Sequence, residues 1–103
     1  MSTLLERSIK SLSIITNTAT GLAHPSDECR AKELFIALRD EGISLNRAEV
    51  KSAAIANGWP DRHATALASL AEKIGSGGRV VIKFPQGWGE WIINKLKSEE
   101  TEG

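Results

Sequence analysis

The sequence is poor in the residues that most often declare a chemistry. It has one cysteine, Cys29, two histidines and no tyrosine. A single cysteine excludes an intramolecular disulfide and fits a reducing compartment. His24, Cys29 and His63 are the soft metal-ligand types, and they are too far apart in sequence to form a compact ligand motif. No apolar run approaches the ~20 residues that a spanning helix needs. The stretch from residue 4 to residue 15 contains Glu6, Arg7 and Lys10, so it lacks the apolar core of a signal peptide. A cytoplasmic location without membrane association is the expectation. Net charge is missing as well, because 13 basic and 13 acidic residues cancel. The cancellation is uneven: three glutamates and no base lie in residues 98–103, which leaves residues 1–97 at a formal +3. That excess is too small to argue for nucleic acid by itself.

What is present is ordinary for a globular chain of 103 residues: 41% hydrophobic and 25% charged. This supports one domain with a modest core. We expect a single helical domain over residues 1–97 and an acidic flexible tail over residues 98–103.

Residues 46–74 carry the clearest local pattern, two short helices joined by the corner Asn57-Gly58-Trp59-Pro60. Asn46 is an N-cap candidate with Glu49 three residues later, and Ser44 competes with it. Val50, Ala53 and Ala54 fall at helical spacing. Gly58 suits the left-handed position after a helix, and Pro60 suits the first turn of the next one. Ala64, Leu67, Ala68, Ala71 and Ile74 form the second face, widened by Leu70. Trp59 covers the corner and is expected in the core, where an indole buries about 150–250 Å².

Around this pair the pattern predicts three more helices. Thr3-Leu4-Leu5-Glu6 is a capping box, followed by Leu5, Ile9, Leu12 and Ile15 on one face. Residues 16–25 read as a weakened helix end and a loop. Ser26 is an N-cap candidate, with Asp27 and Glu28 in the first turn. Ala31, Leu34, Phe35 and Leu38 make the buried face of that helix, with Arg30, Lys32, Glu33, Arg39 and Asp40 outside. Gly42 stops it, with Ile43 placed for the hydrophobic contact that follows. Gly75-Ser76-Gly77-Gly78 is a flexible loop. Val80, Val81 and Ile82 then form the one β-prone run, an extended segment or one arm of a hairpin near residues 79–84. The final helix starts at Trp88, with Trp88, Trp91, Ile92 and Leu96 on one face. This spacing favours the core for Trp91 and decides less about Trp88. The fold class expected is mainly α, a compact bundle of about five helices with one short extended or hairpin segment.

No constellation carries catalysis. The glycine-rich loop leaves a helix instead of entering one, the wrong polarity for a phosphate cradle. Cys29 with a histidine would make a nucleophile and base in principle, but Asp27 and Glu28 beside it oppose thiolate formation. Asp61 and His63, two apart on a helix, point in different directions. No catalytic, cofactor-binding or metal-binding residue is assigned, and an enzyme is not expected.

Two surfaces remain. Arg79, Lys83, Phe84 and Trp88 make a candidate interaction patch, because binding energy concentrates in tryptophan and arginine. Arg62, Lys73, Arg79 and Lys83, with Arg47 and Lys51 on the preceding helix, would be the contacts if the helical corner bound DNA or RNA. That set is thin, since base reading favours Arg, Lys, Asn and Gln on the recognition helix. The leading expectation is a non-enzymatic module that binds an unidentified protein partner. Weak nucleic-acid binding is the alternative, and the oligomeric state stays open.

The chain also resembles the YoaC-like family of small uncharacterised bacterial proteins. The residues that carry the resemblance are Ala31-Lys32 with Phe35 and Leu38, Gly42, Ala48 and Val50 with Ala54, and Gly58-Trp59. It continues through Ala71, Lys73, Gly77, Arg79, Val81-Ile82-Lys83, Pro85 and Leu96-Lys97. It covers roughly residues 29–97 and leaves the N-terminal helix outside. The resemblance implies a compact, mainly helical fold. It brings no activity, cofactor or catalytic residue.

Overall fold

A helix begins where a side chain satisfies the first free N–H groups and ends where a glycine can turn left-handed. Among the described residues there are five helices; a side chain caps the start of three of them, and a left-handed glycine follows the end of three. The five are α1 (Leu4–Ile15), α2 (Pro25–Asp40), α3 (Arg47–Ala56), α4 (Asp61–Gly75) and α5 (Trp88–Glu102). The computed structural model describes residues 2–83 and 85–102, with the side chains of residues 2–83 and 85–99.

The caps are specific. Thr3 and Glu6 close the expected capping box on α1. The Asn46 side chain accepts the Glu49 N–H at 3.1 Å and starts α3. The start of α2 differs from expectation. Pro25 is its first residue and His24 is the cap, with Nδ1 accepting the Ser26 N–H at 3.2 Å. Proline costs nothing at that position, because its missing N–H would have been unpaired anyway. Three helices end alike. After α2, α3 and α4, a glycine with positive φ (Gly42, Gly58 and Gly77) lets the next N–H reach back. Ile43, Trp59 and Gly78 thereby donate to the carbonyls of Leu38, Ala54 and Lys73.

The helices close in a ring: α2 packs on α4, α4 on α3, α3 on α1, α1 on α5 and α5 back on α2, with α1 also touching α2. The core runs through all five, from Leu5, Ile9 and Leu12 to Ile92, Ile93 and Leu96. Its radius of gyration, 12.4 Å, is what one folded unit of this length should have. Trp59 is buried at the corner as expected, and its Nε1 donates to Ser13 Oγ at 2.7 Å. No helix among the described residues is long and apolar enough to cross a membrane.

Of the expected tail over residues 98–103, the part up to Glu102 continues α5, and Gly103 lies outside the described residues. Arg7 of α1 pairs with Glu99 there at 3.1 Å, an interaction that favours the extra turn. Of the two alternatives for residues 79–84 the hairpin drops out, since no strand pairing occurs among the described residues, and the mainly helical bundle stands as expected.

Candidate functional site

Two adjacent residues of α2 hold the segment that joins α4 to α5. Lys32 Nζ donates to the Val81 carbonyl at 3.0 Å. Glu33 Oε1 accepts the N–H groups of Gln86 and Gly87 at 2.7 and 2.8 Å. Glu33 was expected outside and is buried; its other oxygen, Oε2, has no partner among the described residues. The reason is that α2 is covered twice. Ala31, Leu34, Phe35 and Leu38 face the main core, while the side bearing Glu33, Ile36 and Ala37 meets α5 and the connecting segment. A search for one apolar stripe finds only the first face.

The connecting segment separates two recesses. The smaller, of ≈ 430 Å³, lies among Glu33, Asp40, Glu41 and Glu90, with Ile36, Ile82 and Ile93. Glu41 is paired with Lys97 at 2.7 Å, and Asp40 lies 3.8 Å from Arg39. The larger is an open groove of ≈ 1200 Å³. One wall is the first half of α2, from His24 to Lys32; the other is Val81, Ile82 and Lys83, followed by Gln86, Gly87, Trp88 and Trp91.

Trp91 was favoured for the core, yet it is 57% exposed, while Trp88 is half-buried against the core and Ile93 takes the inner position. Gly89 explains the rotation. A β-carbon at 89 would run into the Glu33 backbone, so only a glycine lets α5 approach α2 this closely. That approach puts residues 89, 92, 93 and 96 inside and swings Trp91 out. Lys95 Nζ lies 5.2 Å from the Trp91 ring centre, a cation–π contact that holds the indole on the surface.

Of the expected patch, Lys83 and Trp88 line this groove. Arg79 is exposed just before it. Phe84 lies outside the described residues. Among the described residues neither Arg79 nor Lys83 is ion-paired, whereas the groove cations Lys32 and Arg30 are matched by Glu28 at 2.6 Å and Asp27 at 3.1 Å. Sequence reading missed Lys32, His24 and Cys29 as groove residues, because they come from another helix.

The alternative, nucleic-acid set is more dispersed. Arg62, Lys73, Arg79 and Lys83 are all exposed, and of these Lys83 alone lines the groove. The neighbouring bases of α3 are met by acids of α4: Lys51 by Asp61 at 3.3 Å and Arg47 by Glu72 at 3.9 Å.

His24 and Cys29 share the groove, but His63 lines neither recess. The His63 ring packs on Gly21, where a β-carbon would stand 2.8 Å from it, and its Nε2 is buried without a partner among the described residues. Among the described residues no three of His, Cys, Asp and Glu gather as metal ligands.

A family model described as a domain of unknown function, DUF1889, matches residues 1–97. The match includes the N-terminal helix that the resemblance over 29–97 left out. A crystal structure of a protein from Salmonella typhimurium is similar at 28% identity and a TM-score of 0.79, over 98% of this chain and 100% of that one. No curated protein matches the chain.

Proposed function

The chain belongs to the DUF1889 family, a domain of unknown function, and we propose that it acts as a non-enzymatic protein-interaction module in the bacterial cytoplasm. Trp91 carries this reading: a large indole, 57% exposed, stands at the rim of a groove that also holds Trp88, Val81 and Lys83. Exposed tryptophan beside cations is the composition of binding hot spots. The resemblance to the YoaC-like family is in keeping with a module of this size and suggests no chemistry. His24 and Cys29 give little support to catalysis, since His24 Nδ1 is engaged in capping α2. The test is affinity capture by the full chain and by Lys83→Glu and Trp91→Ala. A protein held by the wild type and by Arg62→Glu, and lost by both groove variants, is expected. Equal capture by all four chains contradicts the proposal.

Nucleic-acid binding through Arg62, Lys73, Arg79 and Lys83 has weaker support, because the acids of α4 pair with the bases of α3. Absence of a shift with duplex DNA at low ionic strength disposes of it.

A further inference from the structure

Building on the interaction reading above, we propose that residues 79–83 are a β-strand lacking its sheet, completed when an acidic, extended segment of a partner protein adds alongside it through backbone hydrogen bonds.

The sequence is Arg79-Val80-Val81-Ile82-Lys83, with three β-branched residues at its centre. Exposure alternates along it. Arg79, Val81 and Lys83 are exposed, while Val80 and Ile82 are half-buried. That is the period-two pattern of a strand lying on a core. Val80 packs against the helices and Val81 is 72% exposed. Gly77 and Gly87, both with positive φ, lie on either side, and the chain bends at Lys83.

The backbone has no ladder. Among the described residues no N–H of residues 79–83 finds an acceptor, and the Val81 carbonyl is the one carbonyl engaged, by Lys32. Successive peptide groups of an extended chain face opposite edges, so Lys32 covers one edge at most. An unpaired row of this kind is a template for another strand.

The outward face selects the occupant. Arg79, Val81 and Lys83 present a cation, an apolar side chain and a cation at strand spacing. Directly opposed side chains on one face of a strand pair interact, and opposite charges stabilise the pair. The complement is a carboxylate, an apolar residue and a carboxylate at alternate positions. A second copy of this chain is disfavoured, because antiparallel self-pairing sets Arg79 against Lys83. The groove beside the segment, reaching Trp88 and Trp91, gives the added chain room.

The test uses the full isotope-labelled chain and a capped synthetic peptide, Gly-Glu-Thr-Val-Thr-Glu-Gly, which presents Glu, Val and Glu on one face of a strand. Amide exchange of residues 80 and 82, whose N–H groups face the edge opposite the Lys32 contact, should slow by about tenfold or more on saturation, as ladder formation requires. The same peptide with Lys for Glu, or with alternate backbone nitrogens methylated, should not slow it. In the Arg79→Glu/Lys83→Glu double variant, whose changed side chains are exposed, the preference should reverse to the Lys peptide. Chemical-shift changes at Trp91 without slowed exchange would overturn strand addition in favour of docking by side chains alone. Slowing that grows with protein concentration and needs no peptide would overturn it in favour of a second copy. If no peptide binds while Trp91→Ala still loses a captured partner, strand addition falls and the interaction reading stands. If capture is unaffected as well, both fall.

Discussion

Gly89 rests on the backbone of Glu33, so close that a β-carbon at 89 would overlap the Glu33 carbonyl and stand 2.6 Å from the Leu34 nitrogen. Backbone cannot give way as a side chain tip can. Gly89→Ala should therefore lower stability by about 1–3 kcal/mol through overpacking, even after the helix-propensity gain of alanine. The urea midpoint measures this. An unchanged or higher midpoint would show that α5 does not depend on the close approach.

Glu33 serves the same junction from its side chain. Its Oε1 takes the N–H groups of Gln86 and Gly87, immediately before α5. Glu33→Ala removes an acceptor shared by two donors and should cost about 2 kcal/mol, with faster amide exchange at residues 86 and 87. Glu33→Gln keeps an oxygen there and should cost less. Exchange rates at 86 and 87 equal to wild type in Glu33→Ala would refute the clamp.

Trp59 seals the corner between α3 and α4. It is 2% exposed, and its Nε1 bonds Ser13 Oγ, which in turn donates to the Ile9 carbonyl at 2.7 Å. Trp59→Ala should destabilise by about 3–5 kcal/mol, and Trp59→Phe by clearly less. Chemical denaturation of both variants provides the comparison; near-equal losses would mean that the indole ring matters less than its N–H.

Ser8 offers a change in the opposite direction. It is fully buried in α1, and its hydroxyl has no hydrogen-bond partner among the described residues. Ser8→Ala removes the unpaired hydroxyl and should raise stability by about 1 kcal/mol. A fall in the thermal midpoint would mean that the hydroxyl is satisfied in solution.

Much of the helical frame is legible in local chemistry. The capping box at Thr3, the cap at Asn46 and the left-handed glycines Gly42 and Gly58 each act over a few residues, so sequence spacing specifies them. Trp59 is legible because its corner leaves an indole little else to cover. What misled the reading of α5 is a tertiary contact. Trp88, Trp91, Ile92 and Leu96 share a plausible face, and only the seating of Gly89 on α2 turns that face toward Ile93. Glu33 is hidden for a related reason, since its partners are backbone N–H groups far along the chain. The start of α2 was displaced because Ser26 looks like a cap, while Pro25 can begin a helix that His24 caps. The groove was half legible: Lys83 and Trp88 are near in sequence, but the wall containing His24, Cys29 and Lys32 comes from another helix.

The central claim is that the face around Trp91 is where a partner sits. Site-specific photo-crosslinking in cells that express the protein tests it most directly, with a photoreactive residue replacing Ser26, across the groove from an intact Trp91, in one chain and Arg62 in another. Both positions are exposed. The account predicts a discrete protein adduct from position 26 and none from position 62. No adduct at 26, or the same adducts at both, would contradict it.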